Sequence, residues 1–325
     1  MKRGRMYQWL LAVAIFIFLL LVPRLLPEIK IHLVIEILIF ALFAVSFNLA
    51  YGYGGLLVFG FGAFFGTGAY AAALAFKFFP ALPLLLALSI AALSGLAAAV
   101  FIGSLTARLK GAYFSIGTFA FQMFFYAVAL KWRSVTNGDD GIGITRPDLY
   151  LPGLGQVSMM NTNNLYYFTL IVVSLCIIGT YLFLKTPLGN SMVCVRESES
   201  RAAFLGYNVF LTKIITLSTG GFLAGLAGGF FVLFNEFIAT NCIDFSMSFT
   251  VTLMAVIGGT GHFLGPVLGT VFYVVIQDWL AALTQRWWIV MGSLFIFVVL
   301  YMPGGLVSFF QFRKKSLFGR FRGQK

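Results

Sequence analysis

Apolar runs of membrane-crossing length, about 20 residues each, follow one another along this chain with short polar breaks between them. They fall at 7–26, 31–50, 56–79, 82–106, 112–130, 164–184, 209–235, 247–259, 266–283 and 287–302, and the run at 247–259 is short for a full crossing. The pattern predicts an all-α polytopic membrane protein, a bundle of about eight to ten transmembrane helices. Three polar stretches stand out within one transmembrane domain over 1–325: residues 131–163, 185–208 and the basic tail 303–325. The opening MKRGR ahead of an apolar run is like a signal peptide. A second apolar run follows at once with no evident small-residue cleavage site, so the first span is read as retained.

Composition supports this class, because 60% hydrophobic residues with 10% charged residues cannot be wrapped in a soluble surface. If all ten runs cross, both termini share one side, and the 22 Lys and Arg can be assigned to sides. Fifteen fall on the side of the termini: Lys2, Arg3, Arg5, Arg108, Lys110, Lys185, Arg196, Arg201, Lys213 and the six of the tail. Seven fall opposite: Arg24, Lys30, Lys77, Lys131, Arg133, Arg146 and Arg286. That asymmetry predicts N-in, C-in topology, with 131–163 extracytoplasmic and 185–208 and 303–325 cytoplasmic. The net charge of +12 is then a topology and lipid-headgroup signal. It does not point to nucleic acid, since no basic stretch is interleaved with base-stacking aromatics in a soluble domain. Cys176, Cys194 and Cys242 have neither the even count nor the spacing of a disulfide framework or metal site, and read as small apolar residues.

The segment Lys185 to Lys213, KTPLGNSMVCVRESESRAAFLGYNVFLTK, is a polar, helix-compatible island between apolar spans. Ser198, Glu199, Arg201, Ala202 and Ala203 predict a short helix closed by Gly206. A short surface helix held between two spans suits docking into a groove on another protein. On the opposite side, TNGDDGIGITRPDLYLPGLG is too rich in Gly and Pro for long regular structure. Asp139, Asp140 and Asp148 beside Arg133 and Arg146 make it a mixed-charge surface, either a solvated loop or a docking face.

Gly221, Gly225 and Gly229 recur every fourth residue and share a helix face that can approach another helix closely. Gly261, Gly265 and Gly269 have the same spacing, with Pro266 among them to break or kink the helix. Gly52, Gly54 and Gly55 mark a third break, followed by Gly62 and Gly66 at packing spacing. Interrupted helices are costly in lipid and line a cavity or are buried in protein. Among ionisable residues within spans, Glu36, Glu236 and Asp278 are functional suspects, against the plainer reading of structural pairing, for which His32 and Glu36 stand at i and i+4. Asn48, Thr118 and Gln122 are further polar residues within spans suited to lining a path.

Catalytic classes fare badly. The histidines are His32 and His262, no GxSG motif appears, and Asp139 and Asp140 would point apart in an extended loop. No GxxxxGK[ST] phosphate loop occurs, so the chain cannot hydrolyse ATP by that route. No cofactor or metal site is implied. An ion-coupled secondary transporter would account for broken helices and membrane acids, but leaves the Arg196 to Gly206 helix without a task.

The segments NLAYGYGGLLVFGFGAFFGTGAY, RLKGAYFSIGTFAF, TNGDDGI, VRESESRAAFLGYN and VIGGTGHFLGPVLGT appear in this order across the chain. Together they resemble the permease subunit of a branched-chain amino-acid ABC importer, and TNGDDGI is more similar to the LivM-type than to the shorter LivH-type partner. The resemblance implies a multi-pass permease in the bacterial cytoplasmic (inner) membrane, surrounded by lipid and moving leucine, isoleucine or valine, or urea, an amide or another amino acid. It implies a second permease subunit, two cytoplasmic ATPase subunits and an extracytoplasmic substrate-binding protein as partners. Arg196, Glu197, Glu199, Arg201, Ala202, Ala203 and Gly206 would contact the ATPase. Asn48, Gly52, Gly54, Gly55, Thr118, Gln122, Gly258, Gly259 and His262 would lie along a translocation path formed by broken helices. Phe61 stands where relatives commonly have a histidine, and His262 where they have a smaller residue.

Overall fold

The computed structural model describes residues 19–24, 27–151, 155–301 and 304–306. Most of the expected span 7–26 and nearly all of the tail 303–325 lie outside the described residues. The remaining runs form helices: α1 Glu28–Asn48, α2 Gly62–Phe78, α3 Leu84–Thr106, α4 Ala112–Lys131, α5 Thr162–Leu184, α6 Pro187–Glu197, α7 Glu199–Phe204, α8 Val209–Asn235, α9 Phe245–Gly258, α10 Gly265–Leu283 and α11 Trp287–Tyr301. Among the described residues six helices are long and apolar enough to cross a membrane: α1 with its extension to Tyr53, α3, α4, α5, α8 and α10. The protein is thus an all-α polytopic membrane protein. Among the described residues, short strands are confined to two small antiparallel pairs, β1 Ile142–Gly143 with β4 Phe237–Ile238, and β2 Leu149–Leu151 with β3 Gly155–Val157.

Helix α8 is the hub, packing against α3, α2 and α1, while α9 and α10 pack on each other and on α1. Close approach there depends on missing side chains. A Cβ added to Gly225 would stand 2.5 Å from the Ala91 carbonyl oxygen and 2.9 Å from Gly95 Cα; one at Gly229 would stand 2.8 Å from Ala91 Cβ. Gly221 faces Ala99 and the Gly95 carbonyl, and Gly68 of α2 abuts the Gly225 backbone from another side. Lipid gives helices no hydrophobic reason to associate, so such backbone proximity is what dispersion forces act through. Beside this crossing lies an aromatic core. Phe43 and Phe65 meet at 4.5 Å between ring centroids, and Phe61 sits edge-on to Phe47 at 5.3 Å, fully buried.

Two breaks differ from expectation. The run 56–79 begins its helix only at Gly62, because α1 runs on through a wide π turn, Leu49–Tyr53, into an irregular segment over 54–61. Pro266 stands just past a break between α9 and α10 and does not kink a continuous helix. It occupies the first turn of α10, where its missing N–H would have no partner in any case. Gly261 therefore sits in the preceding turn with open space around it, whereas Gly258, Gly265 and Gly269 pack backbone to backbone where α9 and α10 cross.

Candidate functional site

The 185–208 segment lies at the C-terminal end of α5 and the N-terminal end of α8, so it is at the opposite end of α5 from the 132–161 loop. Its helices are capped by their own sequence. Thr186 accepts from Gly189 N ahead of Pro187, and Ser198 Oγ accepts from Arg201 N at 3.3 Å. Asn208 Oδ1 accepts from Leu211 N at 3.0 Å to start α8. Gly206 has φ +88°, a left-handed backbone that turns the chain after α7.

Inward and outward faces of this segment are distinct. Ala202 is buried, and Arg196 reaches inward, donating from Nη1 to the Gly52 carbonyl at 2.6 Å and from Nη2 to Glu197 Oε1 at 2.7 Å. Glu199 pairs with Lys213 of α8 at 2.7 Å, and that lysine side chain is only 3% exposed. Arg201 and Ala203 face solvent. Phe204 and Leu205, which sequence reasoning passed over, are 92% and 76% exposed. Two bulky apolar residues ahead of the helix-closing Gly206 were the available signal.

The Gly52 carbonyl belongs to the π turn that ends α1, where carbonyls lose their helical partners. Arg196 satisfies it and places positive charge at a helix C-terminus. Arg146 does the same at the other end of the bundle. It donates to Leu233 O and Phe234 O, both at 2.8 Å, at the C-terminus of α8, and pairs with Glu236 at 2.9 Å. The Arg146 side chain is 8% exposed, so it is a clamp within the protein and not part of the solvent-facing charge of that loop. Glu236 takes structural pairing, with φ +57° at the helix end.

The expected path residues gather in two places. Asn48, Gly52 and the 259–264 turn meet where both breaks converge: Asn48 Nδ2 donates to His262 O at 3.4 Å, and a Cβ on Gly52 would stand 2.6 Å from Thr260 O. Asn48 is buried and its Oδ1 has no hydrogen-bond partner among the described residues. Gly258 packs against α10, and Gly259, at φ +102°, lies against Gly304. Gly54 and Gly55 lead away; a Cβ on Gly55 would stand 2.6 Å from Arg196 Cγ. Thr118 and Gln122 are elsewhere, fully buried on α4. Gln122 Nε2 donates to Ile243 O and Asp244 O at 2.7 and 2.9 Å, its Oε1 accepts from Ser248 Oγ, and Ser248 Oγ accepts from Gly62 N. Both ends of the Gln122 amide are thus engaged in joining α2, α4 and α9. Thr118 Oγ1 donates to Ser115 O within its own helix.

Residues 31–301 match the family described as branched-chain amino acid transport system / permease component. The chain is 27% identical over 311 residues to the high-affinity branched-chain amino acid transport system permease protein LivM of Escherichia coli (strain K12), covering 89% of this chain and 72% of that one. It is 29% identical over 253 residues, 71% of each chain, to the inner membrane ABC transporter permease protein YjfF of the same organism. Over 136 residues, 39% of this chain and 41% of the relative, it is 26% identical to the guanosine ABC transporter permease protein NupQ of Bacillus subtilis (strain 168). No solved structure matches the chain. With the family matched over most of its length, the chain belongs to the permease components of branched-chain amino acid transport systems.

Proposed function

We propose that this chain is the membrane-spanning half of an ATP-driven importer that moves branched-chain amino acids across the bacterial cytoplasmic membrane, with both termini inside. Its partners are a second permease subunit, two cytoplasmic ATPases and an extracytoplasmic binding protein. The observation that carries the reading is the 185–208 segment. It is built of capped helices, fastened inward through Arg196 to Gly52 and through Glu199 to Lys213, and presents Phe204 and Leu205 to solvent. Exposed apolar side chains on an anchored helix mark an interaction site. Arg201, Ala203, Phe204 and Leu205 form the ATPase contact, with Gly206 setting the turn behind them. Arg196, Glu199 and Ala202 transmit movement to the bundle, which is a different division of labour from a contact made by all of them.

Permease function is tested by reconstituting the chain with its neighbouring ATPases, second permease and binding protein in vesicles and following uptake of labelled leucine, isoleucine and valine. Guanosine and urea serve as competing substrates. ATP-dependent leucine uptake that neither competitor suppresses supports the reading. Uptake by the chain without ATPases would replace it with ion-coupled transport, and suppression by guanosine or urea would reassign the substrate.

A further inference from the structure

We propose that the cavity beside the 185–208 segment is a binding site for a small zwitterion carrying a primary ammonium, an acidic group and an apolar body. The cavity measures about 470 Å³, and its walls include Leu56, Leu57, Phe114 and Ile116 with Lys213 and Glu199. Lys213 comes from the second turn of α8 and Glu199 from the first residue of α7, and they meet at 2.7 Å. Lys213 Nζ also donates to the Leu109 carbonyl at 3.4 Å.

An ammonium has three donors, and two of the three on Lys213 are used by Glu199 and Leu109. Glu199 binds Lys213 through Oε1, and its other oxygen retains acceptor capacity. The cavity thus carries one donor and one acceptor side by side with no net charge, which selects against simple anions and simple cations. A zwitterion satisfies both without breaking the pair. Its apolar part then lies against the aliphatic and aromatic walls. The chemistry has two sources: a free apolar α-amino acid, or the head group of an aminophospholipid at the membrane surface. The inference stands on the cavity itself; only the naming of its side as cytoplasmic rests on the topology proposed above.

The test uses the full chain purified in detergent and freed of lipid. Leucine is titrated by calorimetry beside 4-methylpentanoate and isoamylamine, which each lack one charge. Retention of phosphatidylethanolamine against phosphatidylglycerol is followed by native mass spectrometry. Leucine or phosphatidylethanolamine is expected to bind, with the single-charge analogue or the anionic lipid weaker by about tenfold, the scale of one lost charged hydrogen bond. Lys213→Met removes the donor, and Ala112→Phe fills the cavity from its exposed rim while leaving the ion pair in place. Each should weaken binding by about tenfold or more, and the second variant answers the question if the first does not fold. Failure of both ligands to bind, or equal binding by wild type and Ala112→Phe, overturns the site. Normal ATP-driven uptake alongside either failure leaves the importer reading standing.

Discussion

Arg196 Nη1 donates to the carbonyl oxygen of Gly52 at 2.6 Å, across 144 residues of sequence. This one bond joins the polar segment at one end of the bundle to the π turn that ends α1, the break that also holds Asn48, buried and with no partner for its Oδ1 among the described residues. Gly55 makes room for it, since any Cβ there would meet the Arg196 side chain. A push on the 185–208 segment therefore has a direct route to the converging breaks.

Arg196→Ala should leave the Gly52 carbonyl without its partner, a loss of about 1–3 kcal/mol, while the protein still inserts. In reconstituted importer, leucine uptake per ATP hydrolysed is expected to fall severalfold with hydrolysis retained. Gly55→Ala should act in the same direction, because it combines the clash with a backbone at φ +68° that L side chains seldom adopt. An unchanged uptake-to-hydrolysis ratio in both variants would remove Arg196 from the transmission route.

On the outward face of the same segment, Phe204→Ser with Leu205→Ser should weaken capture of the ATPase without altering the folded yield of the permease, since both side chains are exposed already. Ala203→Glu should uncouple hydrolysis from uptake. Co-purification of ATPase with permease measures the first effect, and wild-type uptake by Ala203→Glu would sink the assignment.

At the centre of the bundle, Gly225→Leu is expected to lower folded yield, because the backbones of α3 and α8 would have to separate by more than a methyl group. Even Gly225→Ala should cost about 1–3 kcal/mol, the range for overpacking a tight contact. Gly261→Ala has open space and is the matched control, expected within about 0.5 kcal/mol of wild type. Detergent-stability midpoints for the three variants decide the matter; equal midpoints would mean that the crossing tolerates a side chain.

Much of this was legible in the chain. The run at 209–235 is α8 to the residue, and 112–130 and 164–184 fall within two residues of α4 and α5, because lipid demands uninterrupted apolar length. Spacing revealed that Gly221, Gly225 and Gly229 share a face, but a periodicity cannot name what the face meets. Ala91, Gly95 and Ala99, also spaced by four, were the signal for the opposing face and went unread. Charges misled for a related reason. Lys213 counted only as a charge on the side of the termini and Arg146 only as loop charge, since burial of an ionic group depends on a partner 14 or 90 residues away in sequence, as with Glu199 and Glu236. The pairing of β1 with β4 joins residues just as remote, Ile142 with Ile238, and leaves no local trace.

The structure divides the charges of the 132–161 loop into committed and exposed ones. Arg146 is committed to Leu233, Phe234 and Glu236, and Asp139 accepts from Thr240 Oγ1 at 3.0 Å. Asp140 and Arg133 are exposed. Arg146→Ala should therefore lower stability more than Glu236→Gln, since two main-chain carbonyls lose a charged donor in the first and only a half-exposed ion pair is lost in the second. Asp140→Lys should leave the fold alone and instead raise the concentration of binding protein needed for half-maximal uptake, because exposed charges act on encounter. That rise should shrink as salt is added, with a screening length of about 8 Å at physiological ionic strength. A cysteine placed at 140 should react with impermeant reagent from outside the cell. Reaction from the cytoplasmic side alone would invert the topology, and the docking role of Asp140 would fall with it.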